Sequence, residues 1–279
     1  MTSSTNLTVY GKGATLAGTG RLEVRAGNVD VRDLIVQSTT PNVEGIACLT
    51  PVGTFPIPRL TMSDSKNIGS LAVSNCVAKL DRYTHVGGSV RVDEDGTLDA
   101  DRAFFDGSSA TGFALDFFAS ARRLNVKIVN SVFINYWIQA NTTDLSTTNQ
   151  VKIAFSTLVM AVSASGVGPI LCGPNTTYAM VGNFENNVIV APQGIDAVSG
   201  TRCSITNNVL FPMSAPRAGN IVADPRFVNQ GAKDFHLMMT SPARDAAMPS
   251  AALTTNHDFD NVARPQGTAL DIGAFEYKP

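Results

Sequence analysis

The chain has 279 residues, of which 44% are hydrophobic and only 16% charged, and its formal charge is −2. That balance excludes the basic stripe of a nucleic-acid-binding surface, and no run of about 18 apolar residues is present to cross a membrane as a helix. The charged share lies below the usual quarter. It suits long stacked sheets surfaced with Thr, Ser, Asn and Gly better than helices with Lys and Glu faces.

Met1 opens a segment with neither a basic nor an apolar leader region, and strand-like sequence follows almost at once. Residues 7–10, 22–25 and 29–36 alternate apolar with polar or small side chains, the period of a half-buried strand. Residues 60–63, 71–77, 90–92 and 103–105 continue the pattern. Gly87-Gly88 and Asp95-Gly96 are placed as turns, because Gly, Asp and Asn tolerate the left-handed backbone of a tight corner.

From residue 126 a phrase recurs: a β-rich run, an Asn or another corner residue, and a second β-rich run. It occupies 126–133, 151–159, 185–190 and 205–211. The last two copies align Asn187 with Asn208, and a repeat of about 21 to 30 residues is one coil of a parallel β-helix. An Asn at a fixed place in each coil can stack on its counterpart and bond along the ladder. The Asn-Gly hairpin turns of antiparallel sheets are absent from the sequence. These features favour a solenoid over a sandwich, with coils over 1–219. From Asn220 the repeat stops and Pro and Asp cluster, as expected of a terminal cap over 220–279 that hides the last coil's open backbone groups. Residues 243–248 can make one helical turn.

Four cysteines allow three full pairings, and no C-x-x-C is present. They read first as small apolar residues inside the coils. A Cys48–Cys76 or Cys172–Cys203 bridge between neighbouring coils is the alternative.

The C-terminal motifs come in order: Asp224-Pro225-x-Phe227-Val228, Asp234-Phe235-His236-Leu237, Ser241-Pro242-Ala243-x-Asp245-Ala246, Arg264-Pro265-x-Gly267 and residues 271–277, D-I-G-A-F-E-Y. This set resembles the C-terminal module of bacterial choice-of-anchor Q proteins, secreted right-handed parallel β-helices of the pectin-lyase-like superfamily. Upstream, Gly87-Gly88-Ser89-Val90, Asp95-Gly96-Thr97-Leu98, Phe105-Asp106-Gly107 and Phe133-Ile134-Asn135 are similar to the repeats of polymorphic outer-membrane proteins. The resemblance implies an all-β, right-handed parallel β-helix, export to the cell surface or beyond, and a Met1 that begins after a removed leader. It implies no single activity.

Candidate chemistry is sparse. Lys79, Arg82, Tyr83 and His85 bring a base, a cation and an aromatic into one segment, as a uronic-acid lyase of this fold would need. Read as one strand, Lys79, Asp81, Tyr83 and His85 face one way. Asp93, Asp95, Asp99 and Asp101 share parity and offer hard oxygen ligands for Ca²⁺, although position twelve of an EF-hand would be Phe104. Tyr136 and Trp137 can stack on a sugar ring. Asn141-Thr142-Thr143-Asp144 is similar to part of the polygalacturonase signature, but the other parts are missing, so it reads as a turn. Asn256, Asp258, Asp260 and Asp271 are expected to cap turns around an Arg264–Asp ion pair, and His236 to be structural. The expected function is an adhesive, structural or glycan-binding solenoid. The alternative is a lyase-like enzyme acting on an acidic polysaccharide.

Overall fold

The computed structural model describes residues 6–39, 44–51, 53, 55–108, 113–119, 123–142, 150–162, 166–172, 182–201, 203–249, 253 and 255–278. Each coil is three short strands. Val77–Asp81, Thr84–Val86 and Val90–Asp93 form one set, and the next coil repeats it as Thr97–Asp101, Phe104–Asp106 and Phe113–Ala119. Every strand pairs in parallel with its counterparts in neighbouring coils. The result is a right-handed parallel β-helix with three faces. Two of them join round a tight corner into a 17-stranded sheet, and the third is a separate 8-stranded sheet.

The tight corner explains much of the sequence. One residue per coil takes the left-handed conformation there: Asp33, Asp64, Arg82, Arg102, Asn130, Phe155, Asn186 and Asn207, with φ between 47° and 55°. The residue after it turns inward. Ser131, Ser156, Asn187, Asn208 and Asn220 thereby form an internal polar ladder in which each side chain receives the backbone N–H of the coil before. Asn187 also donates from Nδ2 to Asn208 Oδ1 at 3.0 Å, so the expected stacking of these two residues is present. Buried backbone groups at a corner must be paired, and short polar side chains pair them. At Gly88 (φ +73°) an added Cβ would lie 2.5 Å from Ser70 N, so this corner requires glycine.

Inside, the second face stacks Val36, Asn67, His85, Phe105, Phe133, Leu158, Ile189 and Leu210 in register. Phe105 and Phe133 lie parallel at 4.7 Å. Both candidate bridges form, Cys48–Cys76 and Cys172–Cys203, so the cysteines are cross-links rather than unpaired packing residues. Each joins the third-face strand of one coil to the turn between the third and first faces one coil later.

The C-terminal module differs from the expected end cap. Ile221–Val222 still pairs with the last coil. The chain then folds back along the outside of the second face. Phe227, Phe235, Leu237, Ile272 and Phe275 pack on the outward side chains of Val132, Ile134, Val159, Val188, Val190 and Val209. Over the coils from Val132 to Val209 the second face is therefore buried on both sides. Residues 242–245 form a turn and 246–248 are irregular, so no helix forms over 243–248. At the module's centre, Arg264 pairs with Glu276 at 2.8 Å, both side chains fully buried. The partner is a glutamate and not the expected aspartate. Asp258 and Asp271 accept turn N–H groups from Val262, Glu276, Asp245 and Tyr277, and burial pushes the Asp271 carboxyl up to about 6. Arg264 also lies 5.2 Å over the ring of Phe155, whose backbone takes the left-handed conformation more usual for Asn or Asp.

Candidate functional site

The first face keeps its outer side open. On each strand the residues with even phase point in, such as Leu98 and Ala100, and the odd ones point out, such as Asp99. Pairing places Thr61, Lys79, Asp99, Lys127, Lys152 and Asn183 in one outward row across successive coils. Neighbouring coils are about 4.8 Å apart, so the row is a ladder of closely spaced charges. Among the described residues, no hydrogen bond or ion pair holds the side chains of Lys79, Asp99, Lys127 or Lys152.

From Thr61 to Lys127 this row is the floor of a trough. Three concavities of about 370, 300 and 550 Å³ follow one another along it, sharing Thr61 and Lys79, then Asp99 and Asp101. The module supplies one wall. His257 Nε2 meets Asp101 Oδ2 at 2.8 Å, Asn130 Nδ2 donates to both Asp101 Oδ1 and Thr255 Oγ1, and Arg102 donates to Asn261 and Asp81. The loop carrying Phe55 and Ile57 stands at the opposite edge.

The sequence-based sites are redistributed. Lys79, Asp99 and Asp101 come together on the trough. Arg82 sits at the corner beside them, but its guanidinium is spent on Asp64 (Nε–Oδ1 2.5 Å, Nη2–Oδ2 2.7 Å) and Asp81. Hydrogen bonding to Asp64, aided by the charge of Asp81, holds its pKa above the ordinary arginine value, the wrong direction for a base. Tyr83 and His85 are not outward partners of Lys79. Left-handed Arg82 shifts the phase by one residue, and both side chains are 0% exposed. Inside, Tyr83 Oη lies 3.3 Å from His85 Nδ1, and burial lowers the His85 pKa to about 4.

The aspartate quartet is also divided. The turn at Asp95 and Gly96 puts Asp93 on the third face, paired with Arg91 at 2.7 Å, and Asp95 at the corner, accepting Arg123 N–H. Asp99 and Asp101 belong to the first face. Among the described residues no group of three or more metal-ligating side chains converges. Tyr136 is 1% exposed and donates to Gly88 O at 2.7 Å, so it is a core residue. Trp137 is half-buried on the outward side of the third face, away from the trough. Asn141 and Thr142 end a strand, and residues 143–144 lie outside the described residues. His236 is fixed between Asp234 and Asp260 at 2.6 and 2.7 Å and packs on Phe275, a structural arrangement.

Sequence reasoning missed Lys127, Lys152 and His257. A signal for the two lysines lies in the repeat itself, since V-K-I occurs at the same phase in both copies. His257 carries no comparable signal, because its contact with Asp101 spans 156 residues.

No protein-family model matches the chain, and no curated protein matches it. Among solved structures it is similar to the crystal structure of pectate lyase Pel9A, with 14% identity and a TM-score of 0.44 over 97% of this chain and 86% of that chain. At that depth the likeness assigns no residue a role. No helix among the described residues is long and apolar enough to cross a membrane.

Proposed function

We propose that this protein is an exported β-helix of the choice-of-anchor Q kind that binds an acidic polysaccharide along its first face, without cleaving it. The observation that carries this reading is the outward row Lys79, Asp99, Lys127 and Lys152, whose side chains no described neighbour occupies. Lys127 and Lys152, one coil apart, and Lys79, two coils before Lys127, meet carboxylates of an extended polymer, and Asp99 with Thr61 and Asn183 accepts from or donates to hydroxyls. The two disulfides support an oxidising compartment.

A lyase-like reading is kept for one reason: Lys79 is exposed, unpaired and beside Asp99 on an open strand. Against it stand the ion-paired Arg82 and the buried Tyr83 and His85, which leave Lys79 without a second group for proton transfer.

The test is retention of the protein on a panel of immobilised acidic polysaccharides, run beside an absorbance assay for unsaturated uronides with and without Ca²⁺. Retention that falls with added salt and with Lys79→Ala/Lys127→Ala/Lys152→Ala, with no absorbance change, is expected. A rise in absorbance that Lys79→Ala alone abolishes would replace binding by lyase chemistry.

A further inference from the structure

The wall opposite the C-terminal module has chemistry of its own. Phe55 is 78% exposed, the most exposed large hydrophobic side chain among the described residues. Scattered exposed apolar residues are ordinary, but three observations set this one apart.

First, the described residues on either side of it in the chain are tied down. The Cys48–Cys76 bridge joins the two sides, Asn75 Nδ2 donates to Pro51 O at 2.7 Å, and Val77 N–H donates to Pro58 O at 3.1 Å. Second, Phe55 stands between two concavities. One, of about 780 Å³, has Arg123, Asn125 and Gln150 on its lining, and the other, of about 420 Å³, has Asn28 and Arg59. Third, Thr97, Asn125 and Gln150 are in register on the outer side of the first face, two residues before Asp99, Lys127 and Lys152 on the same strands. Two residues of strand span about 7 Å, so the cleft opens directly onto the lysine row.

An aromatic face, primary amides and a guanidinium are the partners of an acidic pyranose. Its apolar C–H face covers the ring, its hydroxyls meet the amides, and its carboxylate takes a paired contact from arginine. We infer that Phe55, Arg123, Asn125 and Gln150 form a subsite for one hexuronic-acid unit, with Phe55 as the stacking platform that selects it. The inference rests on the acidic-glycan reading of the trough and names residues that reading does not need.

The experiment is calorimetric titration of the full chain with trigalacturonate and with its methyl ester, for the wild type, Phe55→Ala, Arg123→Gln and the triple lysine variant. Phe55 is outside the core, so its variant should fold normally, as circular dichroism will show. Phe55→Ala is expected to weaken trigalacturonate binding about tenfold, and Arg123→Gln to reduce the preference for acid over ester, the remainder being lost in the triple lysine variant. If Phe55→Ala binds within twofold of wild type while the triple lysine variant is weakened, the subsite is wrong and the trough reading stands. If the wild type binds neither trigalacturonate nor any acidic polymer, both fall together.

Discussion

The first and second faces are built from the same repeat and have opposite exteriors. Along Asn125–Val129 the outward residues Asn125 and Lys127 are exposed, whereas one corner later Val132, Phe133 and Ile134 are all buried. The inner stacks are both largely apolar, with Asn67 and His85 as polar members of the second. What differs is the cover: the module lies on the second face and only borders the first. An outward valine row is tolerable where Phe227, Ile272 and Phe275 cover it, and an outward lysine row is tolerable only where water or a ligand reaches it. The open outer side of the first face, with its lysine row, is where recognition is expected.

The most severe way to break this comparison is to loosen the cover. Arg264→Ala leaves Glu276 buried without its partner and is expected to cost roughly 3–5 kcal/mol. Urea denaturation measures the loss, and increased binding of an apolar dye would show the second face exposed. Acid acts on the shared interior. The folded pKa of His85 lies near 4, below its ordinary 6.5, so the unfolded chain takes the proton first. Stability from a neutral His85 is intact above pH 6.5 and falls as pH drops toward 4, by about 3 kcal/mol. His85→Phe should flatten that part of the pH–stability curve, read from denaturation midpoints at pH 7.5 and 4.5.

The corner ladder is the next test. Asn208→Ala removes the acceptor for Asn187 N–H and the donor to Phe184 O and Thr206 O, at an expected cost of about 1–3 kcal/mol. The smallest effect belongs to the open face. Replacing Lys79, Lys127 and Lys152 singly by Ala should change stability by less than about 0.5 kcal/mol each, measured by thermal melting, even though the triple variant is expected to lose retention on acidic polysaccharides. A large stability loss there would mean that the row serves packing, and the contrast between the two faces would fail.

Legibility followed the range of the interactions. Asn187 and Asn208 were readable because their partnership is a repeat 21 residues long. The strands were readable because inward and outward residues alternate. The segment from Lys79 to His85 was misread because alternation was carried through Arg82, whose left-handed backbone turns Tyr83 and His85 inward. The acidic run was misread for the same reason at Asp95 and Gly96. Lys127 and Lys152 were visible, but one exposed lysine per strand is ordinary and acquires meaning only in register with its neighbours.

By itself the sequence determined the coil: strand period, corner residues and the Asn ladder. These are local or nearest-neighbour properties, set by side-chain alternation and backbone preference. Only the tertiary structure decided that the module folds back on the side, that Arg264 pairs with Glu276, that both disulfides close, and that Lys79, Asp99 and Phe55 border one trough. Each depends on which coil lies beside which, and on contacts such as Asp101 with His257 between residues 156 apart. Such contacts form only after the coils have stacked, and no short-range pattern encodes them.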